Sequence, residues 1–256
     1  MTVFVYDYTF DGLLTCVFEA YANKLFPNLL VREGSQLPLF CEYTMTVTAD
    51  ENKSLRVWNA LRKKLSATAL AQITYCWLSE TDEIDNVLFR YICKNIDAPT
   101  SIEMNFADED VLFLSQLFKK VSYERMRMLQ FIRFQKAVDG TYFAPTAPVY
   151  NVLPISVNHF QDRFNDQAWL IYDTLREYGF YYNLDTVEQV TFKDSHQIHL
   201  LTGKLSESMM DSNEKLFQDL WKTYFNSVCI KERLNPRKHK QDMPVRYWKY
   251  ITEKQR

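Results

Sequence analysis

The feature that most constrains this chain is a change of hydrophobic period near residue 131. Before it, Val111, Leu114, Phe118 and Val121 recur every three to four residues, which predicts a helix over 108–130. After it, Phe131-Ile132-Arg133-Phe134-Gln135-Lys136-Ala137-Val138 reads as a strand, followed by Asp139-Gly140 and Thr141-Tyr142-Phe143. Asp-Gly between two such runs predicts a hairpin with a type I′ turn, which needs positive φ at both central residues. Pro145, Pro148 and Pro154 mark the connection that follows, and a short helix fits 155–164. Trp169–Asp173, Gly179–Asn183 and Val187–Lys193 then form three β-like runs. The order predicts an α+β fold: one antiparallel sheet, a hairpin plus a meander, flanked by helices.

Ahead of this lies a short α/β portion. Residues 2–6 read as a strand, and Asp11-Gly12 opens a helix carrying Leu13, Leu14, Val17, Phe18, Tyr21 and Leu25 until Pro27. Phe40–Thr48 is a second strand. Residues 52–78 read as one long helix with Leu55, Trp58, Leu61, Leu65, Ala69, Ile73 and Trp77 as its core stripe. Arg56, Arg62, Lys63 and Lys64 lie mostly off that stripe, as on a solvated face. A helix also fits 84–95. The last helix starts at Asp211, with Leu216, Phe217, Leu220, Trp221, Tyr224, Phe225 and Val228 on its apolar face. Asn235-Pro236 is expected to stop it before a basic loop. The chain reads as a single domain over 1–256, with a soft internal boundary near 96–107 at the turn-like Asp97-Ala98-Pro99-Thr100.

Several functional classes are excluded early. Five glycines in 256 residues leave no P-loop and no GxGxxG, and GxSxG is also missing. No apolar run reaches the length of a membrane helix. The start, Met1-Thr2-Val3-Phe4-Val5-Tyr6-Asp7, lacks the basic region of a secretion signal. Cys16, Cys41, Cys76, Cys93 and Cys229 are odd in number and hold no CxxC, so they read as thiols in a reducing cytoplasm. His196 and His199 share a face only in a helix, and their neighbours look like loop or strand, so no metal site is expected.

Two segments carry chemistry. In His159-Phe160-Gln161-Asp162-Arg163-Phe164, His159 and Arg163 are i,i+4 neighbours on the expected helix. Asp173 ends the next strand and Arg133 sits in the preceding hairpin. An imidazole, two guanidinium groups and a carboxylate together suit an acid–base site or a phosphate clamp. They equally suit a structural network that pins the helix to the sheet.

The second segment is the C-terminal tail. Trp221 to Arg256 holds ten Lys/Arg and three Asp/Glu, a net of +7, while the whole chain is −2. Arg233, Arg237, Lys238, Lys240 and Arg246, with Tyr247 and Trp248 interleaved, suit a nucleic-acid groove. Cations neutralise phosphates there, and rings stack on exposed bases. The alternative is that Tyr247 and Trp248 dock the tail on the body while the charges stay solvated.

At these residues the chain resembles a known family. Arg125-Met126-Arg127 to Phe134, Asn151-Val152-Leu153-Pro154, His159 to Phe164, Trp169 to Asp173 and Ile230 to Trp248 carry the resemblance. Tyr6-Asp7, Gly12-Leu13-Leu14 and Phe18-Glu19-Ala20-Tyr21 extend it over nearly the whole chain. The family is a bacterial one of uncharacterised proteins labelled probable DNA metabolism or repair proteins. Its members look like partners of a radical-SAM protein, and some relatives are joined to a uracil-DNA glycosylase-like domain. Tyr8 stands where the family pattern leads us to expect a small residue such as Gly.

The resemblance implies a DNA-binding accessory protein in base modification or repair, with DNA and a radical-SAM protein as partners and no membrane. No cofactor is intrinsic to this chain; SAM and the iron–sulfur cluster are expected only in the partner. Two alternatives stand beside it. One is an enzyme acting on a nucleic-acid base through His159, Arg163 and Asp173, and the other is a protein-docking module without nucleic-acid contact.

Overall fold

The computed structural model describes residues 1–192, 205, 207–228, 230 and 233–254. The fold is α+β, in two compact units, Met1–Ser122 and Tyr123–Arg256. The division falls inside one helix, and the 96–107 stretch belongs to the first unit.

In the first unit, β1 (Thr2–Tyr6) leads into α1 (Phe10–Ala22), then β2 (Leu29–Arg32) and β3 (Tyr43–Val47). β1 is the centre of a parallel three-stranded sheet of order β2-β1-β3, with Val3 opposite both Leu29 and Thr44. Val3 and Phe4 are fully buried, as are Leu13, Cys16, Val17 and Ala20 of α1, so helix and sheet share one core. β2 has no counterpart in the sequence reading; four residues beside Pro27 are too short to show a period.

Tyr8 adopts φ +56°, the left-handed region that favours glycine. The turn therefore keeps the geometry expected of a small residue despite the tyrosine. Contacts hold the ring in place: the Arg32 guanidinium carbon is 3.1 Å from its centroid, and Trp77 is 5.2 Å away.

The expected long helix over 52–78 is two helices, α2 (Glu51–Arg62) and α3 (Ala67–Trp77). Ser66 is the cause: its hydroxyl accepts from Ala69 N at 3.1 Å and starts a new helix. The buried face of α2 is Ser54, Val57 and Leu61, while Leu55 is exposed. α4 (Ile84–Asp97) and α5 (Glu109–Phe131) follow.

The second unit is a five-stranded sheet of order β4-β5-β6-β7-β8. Its strands are β4 (Gln135–Lys136), β5 (Tyr142–Thr146), β6 (Trp169–Asp173), β7 (Tyr178–Tyr182) and β8 (Val187–Val190). The hairpin and the β6-β7-β8 meander are antiparallel, as expected. β5 and β6 are parallel, Tyr142 opposite Trp169, so the sheet is mixed. The connection between them carries α6 (Val157–Arg163), the crossover that a parallel pair requires.

The hairpin turn also differs from expectation. Gly140 has φ +86°, whereas Asp139 is not among the positive-φ residues. Gly140 N donates to Ala137 O at 2.9 Å, and Ala137 N donates to Thr141 O at 2.9 Å. This is the three-residue loop whose last residue alone must be left-handed. β6 is the most buried strand, with Trp169, Ile171 and Asp173 at 0% exposure.

Two helices complete the unit, α7 (Glu214–Ser227) and α8 (Pro236–Asp242). Short 3₁₀ segments at Val245–Tyr250 and Thr252–Lys254 return the chain to the body. Tyr247, Tyr250 and Ile251 are the buried anchors of that return.

Candidate nucleic-acid groove

α8 forms because Asn235 and Pro236 start a helix. The Asn235 side chain accepts from Lys238 N at 3.0 Å, and Pro236 occupies the first helical turn, where no N–H is needed. The basic segment read as a loop is therefore helical. Arg237, Lys238 and Lys240 are exposed on it, and Arg233 is exposed just before it. Lys238 meets Asp242 at 3.0 Å, an i,i+4 surface pair of little energetic weight. Among the described residues, Arg233, Arg237 and Lys240 form no ion pair.

Beside these cations His239 stacks on Trp248, rings 5.6 Å apart and 30° from parallel. Trp248 Nε1 donates to Met243 O at 3.0 Å, so the indole is half-buried and fixed. Lys254 Nζ lies 4.8 Å from the Phe225 ring centroid and 5.7 Å from that of Trp248. Burial and the Lys254 charge lower the His239 pKa against the opposing pull of Asp242. Phe225, Arg233, Lys238, His239 and Lys254 help line a hollow of about 420 Å³.

One turn back along α7, Trp221 and Phe217 line a second hollow of about 480 Å³ with Arg133, Phe134 and Thr252. Trp221 and Phe225 are i,i+4 neighbours, and Thr252 and Lys254 share one 3₁₀ turn. The two hollows thus lie along one groove between α7 and the C-terminal turns. Its α7 wall is open: Phe217 is 63% exposed, Tyr224 57% and Trp221 41%. Glu214 and Gln218 line the Trp221 hollow from α7. Glu214 is buried there and accepts from Gln218 Nε2 at 2.8 Å.

The sequence-derived candidates divide clearly. Arg246 is not part of a free cationic stripe: it forms an ion pair with Glu124, which is buried, and lies over the Tyr247 ring at 4.9 Å. Tyr247 is buried against Phe131, 5.4 Å between centroids. Arg133 pairs with Glu253 at 2.8 Å. His159 and Arg163 are exposed on α6, and neither bonds to Asp173 or Arg133. Asp173 is fully buried and pairs with Arg176 Nη1 at 3.0 Å, while accepting from Leu175 N at 2.9 Å. Burial raises the Asp173 pKa, opposed by the backbone N–H of Leu175 and the Arg176 charge. The four residues do not assemble into an acid–base site.

Phe134, Phe217, Trp221, Phe225 and Lys254 were missed as groove residues. The spacing of Phe217, Trp221 and Phe225 was visible, but an aromatic row at helical spacing ordinarily marks a core face.

The second unit is thus a mixed-sheet α+β layer bearing a basic and aromatic groove. Among the described residues, no helix is long and apolar enough to cross a membrane. Residues 82–253 match the model of DUF4130, a domain of unknown function, and the chain belongs to that family. The match begins just before α4. No curated protein and no solved structure matches this chain.

Proposed function

We propose that this protein binds single-stranded nucleic acid along the α7 groove, as a DNA-handling accessory in base modification or repair. The observation that carries the proposal is the row of exposed rings on α7, Phe217, Trp221 and Tyr224, one turn from Phe225, which lines a hollow with Arg233 and Lys238, while Arg237 and Lys240 are exposed on the same short helix as Lys238. Cations that track a backbone and rings that accept bases are what an unpaired strand requires. A duplex keeps its bases stacked inside and would leave the rings uncovered. The sequence resemblance supports a radical-SAM protein as partner, which would carry SAM and the iron–sulfur cluster. It also supports a cytoplasmic setting, where Cys16, Cys76 and Cys93 stay as free thiols.

The test is binding of single-stranded and duplex DNA of one sequence over a range of salt. Tighter single-strand binding that weakens with salt is expected. Equal, salt-independent or absent binding would sink the proposal.

One observation favours a second reading. Leu216, Leu220, Tyr224 and Val228 put an apolar face of α7 in solvent, each more than half exposed. Such a face also suits a protein partner. Capture of the neighbouring radical-SAM protein by the wild type but not by Leu220→Asp, with no DNA binding, would put this reading ahead.

A further inference from the structure

We propose that this protein forms a two-fold dimer in which β3 pairs antiparallel with β3 of a second copy. The two edges of the first unit's sheet are finished differently. At β2 the Asn86 side chain, from α4, closes the edge: its Oδ1 accepts from Leu30 N at 2.7 Å and its Nδ2 donates to Leu30 O at 3.3 Å. Those are the bonds a further strand would make, so β2 takes no neighbour. β3 is the opposite edge and has no such closure among the described residues.

Alternation along the strands identifies the free groups of β3. The Thr2 and Tyr6 carbonyls accept from Asn28 N and Glu33 N, on the β2 side, at 2.8 Å each. Val3 and Val5 therefore turn their backbone groups to β3. In the parallel register the residues that bond to them are Tyr43, Met45 and Val47, opposite Thr2, Phe4 and Tyr6. Tyr43 N accordingly donates to Met1 O at 3.4 Å. Thr44 and Thr46 are left with N–H and C=O pointing away from the sheet, just as Leu30 does in β2.

This pattern is complementary to itself. Opposed residues of an antiparallel pair exchange two bonds when both face each other. Centring the pair on Met45 sets Thr44 against Thr46 of the second copy, and Thr46 against its Thr44, which makes four bonds. A shift of one residue sets an outward residue against an inward one and makes none. A shift of two keeps only one of the two pairs. The exposed Thr44 and Thr46 side chains share one face, so the same register forms two cross-strand Thr–Thr pairs. Direction, register and side chains thus match under a two-fold axis, as an isologous interface requires.

Charge and apolar surface favour the same occupant. Tyr43–Val47 holds no charged residue, so the axis brings no like charges together. Exposed edges are ordinarily guarded by Lys, Pro or a bulge, and β3 carries none of these. Leu39 and Phe40, 92% and 87% exposed, stand just before β3, where an antiparallel partner brings the end of its own strand. They supply the apolar area that a backbone pair alone lacks. Because Asn86 closes β2, association stops at two copies and does not continue into a filament.

The test is sedimentation equilibrium of the full chain between about 1 and 100 μM, the range in which a moderate interface assembles. Wild type should reach twice the 30.5 kDa chain mass and no more. Thr46→Pro removes an outward N–H that the monomer does not use, so it should keep the circular dichroism spectrum of wild type. The axis deletes two bonds at once, and the dissociation constant should rise about tenfold or more. Charge pairs then check the register. Thr44→Lys with Thr46→Lys sets like charges opposite each other and should give monomer. Thr44→Lys with Thr46→Glu sets opposite charges together and should restore the dimer. A wild-type chain that stays monomeric at 100 μM, or a mass that climbs past two copies, would overturn the proposal. So would a dimer that the two Lys substitutions leave intact, or equal dissociation constants for the two charge-pair variants.

Discussion

Arg133 and Glu253, 120 positions apart, meet at 2.8 Å, and the same carboxylate accepts from Trp221 Nε1 at 2.8 Å. This clamp fixes the C-terminal turn and α7 to the end of α5, and so sets the width of the groove. Burial works against ionisation of Glu253, but the bonds from Arg133 and Trp221 outweigh it and lower the pKa.

Arg133→Ala should therefore destabilise the fold by about 3 kcal/mol, because it strands a buried carboxylate. The unfolded chain takes up the Glu253 proton near pH ~4.3, and the folded chain only at lower pH. The stabilisation is then fully present above that pH and lost as pH falls through the folded value. Denaturant midpoints should show a wild-type advantage that shrinks on acidification. A gap that stays constant down to pH ~3 would contradict the clamp.

Replacing Arg237, Lys238 and Lys240 together by Ala should reduce the slope of log K against log salt by about two to three units. Arg246→Ala should act differently, lowering stability through the stranded Glu124 while leaving the salt slope nearly unchanged. Anisotropy titrations at several salt concentrations separate the two effects.

Arg176→Ala should cost about 3–5 kcal/mol, since Asp173 is fully buried and would lose its cation. His159→Ala should stay within about 0.5 kcal/mol, as an exposed side chain with no hydrogen bond among the described residues. Chemical denaturation of both variants decides whether Asp173 belongs with Arg176 or with His159.

Gly12→Ala should destabilise the first unit by about 1–3 kcal/mol. A Cβ there would stand 2.1 Å from Asp7 Oδ1, which is held by Thr9 N at 3.1 Å and Thr9 Oγ1 at 2.8 Å. The carboxylate cannot move aside without losing those bonds, and Thr9 caps α1 through Gly12 N. A melting temperature equal to wild type would show that the cap tolerates the methyl group.

The sequence by itself determined the local elements. Periodicity located α4, α5, the hairpin and the meander, because each is written in consecutive side chains. It also placed cations and aromatic rings together in the tail. Local signals failed where one residue changes the outcome: Ser66 splits the helix, and Asn235-Pro236 begins one. Only the tertiary structure decided the parallel β5–β6 pair, since strand direction depends on where the crossover returns. It alone decided which charges are free. Arg133, Arg246 and Asp173 look like site residues in the sequence, yet each has a partner, two of them more than a hundred positions away. Arg233, Arg237 and Lys240 look no different and remain open to solvent. Ion pairing acts through space over a few ångströms, and separation along the chain carries no record of it.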